Sequence, residues 1–143
     1  MTIFFTTLVE SAKAAENRFA ALEDGTIKDH ETKLIWAPHD NGSDITWYTA
    51  ATYCKEYSPG GHNDWRMPTS DELATLYGNR PQVQNQNYKD TIDVATKLIK
   101  ITAPWVWTNK QMAHHKALAY TFNSGTSRRL HLEGGGSERH QDK

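Results

Sequence analysis

The stretch that decides the fold is Asp64-Trp65-Arg66-Met67-Pro68-Thr69-Ser70-Asp71-Glu72-Leu73. Thr69 followed three residues later by Glu72 is a capping box: the hydroxyl bonds the Glu72 amide, and the carboxylate reaches back. A short helix starts there, launched by Pro68 and Thr69. Leu73, Leu76 and Tyr77 supply its apolar face, and Gly78 is expected to close it. Trp65 is expected to plug the core. Arg66 is expected to make fixed hydrogen bonds to nearby carboxylates or carbonyls through its planar fork of donors. Asp64, Trp65, Arg66, Pro68, Thr69 and Glu72 therefore read as architecture.

Upstream, Trp47, Ala50, Ala51, Cys54 and Tyr57 fall at i, i+3, i+4, i+7 and i+10. That spacing makes one apolar stripe on an amphipathic helix. Asp44 or Thr46 can cap it, and Ser58-Pro59-Gly60-Gly61 ends it. Asp24-Gly25 is a hairpin signal between strands at residues 18–22 and 26–28. A second turn at residues 29–32 leads into a strand at 33–36, and residues 38–43 read as a loop. Downstream, residues 80–90 read as an exposed loop, and 91–101 fit either a helix or a buried strand. Strands follow at 105–108, 117–123 and 128–132, the last two joined by Ser124-Gly125-Thr126. Strands, then two helices, then strands indicate an α+β fold. Trp36, Trp47 and Trp65 are expected to meet in one interior between the two short helices and a curled antiparallel sheet.

The chain has 143 residues, 37% hydrophobic and 23% charged, which suits one soluble globular domain. Its net charge of −1 argues against nucleic acid as a partner. Residues 1–104 carry 10 Lys/Arg against 14 Asp/Glu, whereas 105–143 carry 6 against 3, with four of the seven His. The last third is thus mildly basic. One cysteine permits no internal disulfide and no four-cysteine zinc site.

At the N-terminus, Ile3 to Val9 is a short apolar run, followed by Ala12-Lys13-Ala14. This reads as the back half of a secretory signal over residues 1–15, against the alternative of a helix with Leu8, Ala12, Ala15 and Phe19 on one face. It is too short to span a bilayer, so no transmembrane segment is expected. The domain proper is expected at 16–133, with 134–143 a polar tail or the start of a truncated final segment.

Three blocks together resemble a known family. They are Asp24-Gly25-Thr26-Ile27-Lys28-Asp29 with Thr32-Lys33-Leu34-Ile35-Trp36; Thr46-Trp47, Ala50-Ala51 and Tyr53-Cys54 running to Gly60-Gly61-His62-Asn63-Asp64-Trp65-Arg66-Met67-Pro68-Thr69 and Glu72-Leu73; and Trp107-Thr108 with Ala119 to Gly125. The chain resembles the C-terminal domain family of the Legionella collagen-like adhesins, from about Phe19 to His131. The resemblance implies a C-type-lectin-like fold near the formylglycine-generating enzymes, export to the periplasm, cell surface or medium, and adhesion through glycans such as sulfated polysaccharides. Relatives end on a further strand, which often carries a cysteine able to partner the position of Cys54. Here the chain stops at Gln141-Asp142-Lys143, about where that strand should start. The resemblance then implies an unpaired sheet edge, open to a protein partner or to self-association.

No catalytic residues are expected. Formylglycine-generating enzymes use two cysteines, and Cys54 on the apolar stripe reads as inert packing. His114-His115 read as surface-loop residues, and no metal-ligand spacing occurs. The loop Asp40, Asn41, Ser43 and Asp44 is oxygen-rich enough for calcium but reads first as a solvated turn, so no cofactor is expected. Candidate ligand-binding residues lie in the basic last third: Trp105, Trp107, His114, His115, Lys116, Arg128, Arg129, His131 and Arg139. Arg128-Arg129 is the candidate anion clamp. If Leu130 points inward, Arg129 and His131 share the outer face. The alternative, that both tryptophans are core and the arginines solubilising, stands equal to it. The expected function is a non-catalytic exported recognition or adhesion module for a glycan or acidic polysaccharide. The alternative is a structural or protein-interaction subunit of a surface assembly.

Overall fold

The computed structural model describes residues 18–78 and 92–133. The expected signal remnant, the Gln/Asn-rich loop, Arg139 and the tail lie outside the described residues. The described residues form an α+β fold, with two α-helices and two small antiparallel sheets of three strands each. The expected α+β class with antiparallel strands is found, the strands forming two sheets, neither of which closes on itself.

The first sheet joins β1 (Phe19–Ala21), β2 (Ile27–Asp29) and β3 (Ile35–Trp36). Its first turn is the expected Asp24-Gly25 hairpin, with Gly25 at φ 84° and the Leu22 amide bonded to the Thr26 carbonyl. Its second turn is organised by Asp29. This fully buried carboxylate accepts from Arg18 Nε at 2.9 Å and Nη2 at 2.7 Å, from the Glu31 amide at 3.0 Å and from the Thr32 hydroxyl at 2.8 Å. Burial alone would raise this carboxyl. The Arg18, Thr32 and Glu31 donors outweigh it and hold the group at about 2. Arg18 also donates to the Thr75 carbonyl, tying β1 to the second helix.

Helix α1 (Trp47–Glu56) follows the predicted stripe. Ala50 is buried, Trp47, Ala51, Cys54 and Tyr57 are half-buried, and the other positions face solvent. Thr46, not Asp44, is its N-cap, accepting from the Thr49 amide at 3.2 Å. Helix α2 (Ser70–Thr75) begins with the full capping box: Glu72 N to Thr69 Oγ1 at 3.1 Å, and Thr69 N to Glu72 Oε2 at 2.8 Å. It ends at Leu76, before Gly78. Gly78 instead permits a close approach, because a Cβ there would lie 2.5 Å from Asp93 Oδ1 and 3.2 Å from the Val94 backbone. Residues 92–101 are neither the helix nor the strand considered above. They form turns with two isolated bridges, Tyr77 to Val94 and His39 to Lys100.

The second sheet joins β4 (Trp105–Met112), β5 (Lys116–Thr121) and β6 (Thr126–His131). Alternation along β5 builds two cores, one on each face. Tyr120 joins Phe19, Ile27, Leu73, Leu76 and Phe122 on the α2 side. Ala117 and Ala119 join Ala50, Met67, Trp107 and Leu132 on the α1 side. The three tryptophans expected to converge are divided by this arrangement. Trp36 packs on the first core and Trp47 on the second. Trp65 joins neither, so it does not plug the core.

Candidate functional site

A groove of about 520 Å3 opens between β3, α1, the 62–68 loop and the start of β4. Four of the five tryptophans line it: Trp36, Trp65, Trp105 and Trp107. Tyr53 and Tyr57 line it from α1. Their i, i+4 spacing stacks the rings, with centroids 5.4 Å apart and planes 23° from parallel. Tyr57 then meets Trp65 edge-on at 5.6 Å, and Trp65 meets His62 at 6.3 Å. The result is a continuous aromatic ladder along one wall. Burial, with Tyr53 second, pushes the Tyr57 hydroxyl above its ordinary pKa, so it remains a donor at neutral pH.

The ladder is held from below by two glycines and a turn. Gly60 at φ 66° and Gly61 at φ 72° take conformations that other residues rarely adopt. Gly60 sits directly on the Asp24 side chain, leaving no room for a Cβ. His62 Nε2 lies 3.6 Å from Asp24 Oδ2, and Trp65 Nε1 donates to the Pro59 carbonyl at 3.4 Å. The first hairpin turn thus braces the loop that presents Trp65.

Polar groups surround the aromatic floor. Asp64 is exposed at the rim. Arg66 makes a two-point contact with Glu72, as its fork geometry predicts, and also donates to the Met67 carbonyl at 3.2 Å. The Arg66 hydrogen bond holds the Glu72 carboxyl at about 2, against an opposing burial effect. Trp107 is nearly buried and its indole donates to the Ile45 carbonyl at 2.9 Å. Trp47 likewise donates to the Thr108 carbonyl at 2.8 Å. The Trp36 indole N–H is buried with no hydrogen-bond partner among the described residues.

The sequence-predicted ligand residues are only partly brought together. Trp105 and Trp107 lie on the groove, with Trp107 largely core. The basic residues lie on the β5–β6 hairpin, away from its lining. Arg128 pairs with Ala119 and Arg129 with Leu118, so the two arginines point to opposite faces of the sheet. The expected clamp is therefore split. Leu130 packs inward, as anticipated, and Lys116, Arg129 and His131 share the other face, with Lys116 directly opposite His131. His114 and His115 are exposed in the β4–β5 turn at φ 59° and 56°.

The oxygen-rich 40–44 loop has a structural use. Asp40 accepts from the Thr102 amide at 2.7 Å and hydroxyl at 2.9 Å, and from the Gly42 amide at 3.0 Å. Among the described residues, no group of three or more His, Cys, Asp or Glu is placed to hold a metal ion. No helix among them is long and apolar enough to cross a membrane.

Residues 25–139 match the family model of the Lcl C-terminal domain, well over half of the chain. The chain belongs to the Lcl C-terminal domain family. The Lcl domain is a domain of adhesin-like surface proteins. No curated protein and no solved structure matches the chain at a significant level. In this Lcl domain the aromatic ladder was hidden from sequence reading. Tyr53 lies off the apolar stripe, and only its spacing from Tyr57 hinted at a stacked pair.

Proposed function

We propose that this Lcl domain is an exported, non-catalytic recognition module that binds glycans through the aromatic groove. The observation that carries the reading is the ladder Tyr53–Tyr57–Trp65, which lines one open groove together with Trp36 and Trp105. Sugar rings present flat C–H faces that stack on aromatic rings, and their hydroxyls bond the polar groups around them. The groove is of ligand size, since binding cavities run from about 300 to 1,000 Å3. Burial pushes the Cys54 thiol above its ordinary pKa, which disfavours the thiolate a nucleophile needs.

A panel of immobilised glycans tests this reading. The wild-type domain should be retained by at least one glycan, and Tyr53→Ala should lose that retention. Tyr53 is partly exposed on α1 and Ala favours helix, so the substitution spares the fold. Equal retention of the two proteins on every binding glycan would remove the groove from the account.

A second surface supports binding of an acidic polysaccharide. Lys116, Arg129 and His131 share one sheet face through the β5–β6 register. Guanidinium and ammonium groups so arranged suit sulfate esters, with salt-sensitive affinity.

A further inference from the structure

We infer that the groove selects a neutral, hydroxyl-rich oligosaccharide and turns anionic glycans away. The inference rests on the reading of the groove as a glycan site and adds the charge class of its ligand.

Charge around the lining decides it. The ionisable acids there are Asp40, Asp44, Asp64 and Glu72, against Lys33, Arg66 and the histidines His39 and His62. The Arg66 charge is already paired with the Glu72 carboxylate through Nη1 and Nη2. That leaves the carboxylates of Asp40, Asp44 and Asp64 against Lys33 and two histidines, one of which, His62, already lies 3.6 Å from Asp24. A sulfate or carboxylate entering between the aromatic walls meets like charges at short range, where solvent screens them less than on an open surface. Lys116 and Arg129 lie on the face of the β5–β6 hairpin turned from the groove, and Arg128, on the same face as Ala119 and Leu130, is not among the lining residues.

Hydrogen-bond chemistry points the same way. A carboxylate only accepts, and a sulfate has no hydrogen to give it. A sugar hydroxyl both donates and accepts. It can donate to Asp64 at the rim. A compact cation would also suit carboxylates and aromatic faces. The ladder of two tyrosines and a tryptophan matches a chain of stacked rings better than one point charge.

Calorimetric titration separates the possibilities. The probes are neutral hexasaccharides of glucose, mannose, galactose and N-acetylglucosamine, and a heparin hexasaccharide. The proteins are the wild type, Tyr53→Ala and Asp64→Asn, with folding checked by circular dichroism. The expected result is that at least one neutral probe binds with an affinity insensitive to salt. Tyr53→Ala should weaken it at least about tenfold, in line with the loss of one stacking contact, and tetramethylammonium should not compete. Heparin binding that Tyr53→Ala abolishes would overturn the inference while keeping the groove as the glycan site. Heparin binding untouched by Tyr53→Ala, with no neutral binding, would overturn both. Displacement by tetramethylammonium would overturn the inference in favour of a cationic ligand. Silence from every probe would also overturn it.

Discussion

Arg66 grips the Glu72 carboxylate at two points, Nη1 to Oε2 at 2.9 Å and Nη2 to Oε1 at 2.5 Å. The same Oε2 accepts the Thr69 amide at 2.8 Å. One carboxylate therefore caps α2 and fixes the arginine at the edge of the groove. Glu72→Ala should destabilise the domain by about 1–2 kcal/mol in urea unfolding, mostly through the lost cap. The ion pair adds little, because more than half of the Arg66 side chain is exposed. Arg66→Lys should not restore the wild-type midpoint, since an ammonium cannot make the forked contact.

Asp29 is the more demanding carboxylate. It is fully buried, and Arg18 is its charged partner. Asp29→Ala should cost about 3 kcal/mol, because it leaves a largely buried guanidinium only the exposed Glu31 and the Thr75 carbonyl as polar partners among the described residues. Thermal unfolding of the pair Asp29→Ala and Arg18→Ala, alone and combined, would measure the coupling.

Acid stability follows from the same two groups. Both have pKa values of about 2 in the folded domain, below the ordinary 3.8 for Asp29 and 4.5 for Glu72. A depressed carboxyl pKa contributes stability that is complete above the unfolded value and is lost as pH falls through the folded one. Stability should therefore decline between about pH 4.5 and pH 2. Urea midpoints across that range should flatten in a Glu72→Gln, Asp29→Asn double variant.

Two glycines should respond differently to alanine. At Gly42 a Cβ meets nothing within 4 Å, and only its φ of 74° opposes a side chain. Gly42→Ala should cost about 1 kcal/mol. Gly78→Ala drives a Cβ against Asp93 and the Val94 backbone, and should cost about 2–3 kcal/mol. Equal denaturation midpoints for the two variants would contradict the close approach.

The basic hairpin makes its own prediction. Arg129 shares a face with Lys116 and His131, whereas Arg128 lies on the opposite face. Arg129→Ala should elute earlier than Arg128→Ala from a heparin column. Identical elution of the two variants would contradict a surface built by strand register.

What could be read from the sequence was local. The capping box at Thr69 and Glu72, the stripe from Trp47 to Tyr57 and the hairpin at Asp24-Gly25 are all set by residues within one or two turns of each other, and the structure keeps them. The misreadings are long-range. Gly78 looked like a helix stop because its true neighbour, Asp93, lies 15 residues on. Arg128-Arg129 looked like a clamp until strand pairing assigned them opposite faces. Trp65 looked like core because a tryptophan beside a capping box usually is; only the packing of Tyr57 and His62 against it reveals a groove wall. Asp29 passed for a simple turn residue, since nothing local announces that Arg18 will reach it across the hairpin.

The most direct test of the account follows the five indole N–H resonances by NMR while a binding neutral oligosaccharide is added. Trp36 and Trp65 should shift or broaden strongly. Trp47, off the groove and bonded to the Thr108 carbonyl, should hold still. Perturbation confined to Lys116, Arg129 and His131, with Trp36 and Trp65 unmoved, would contradict it.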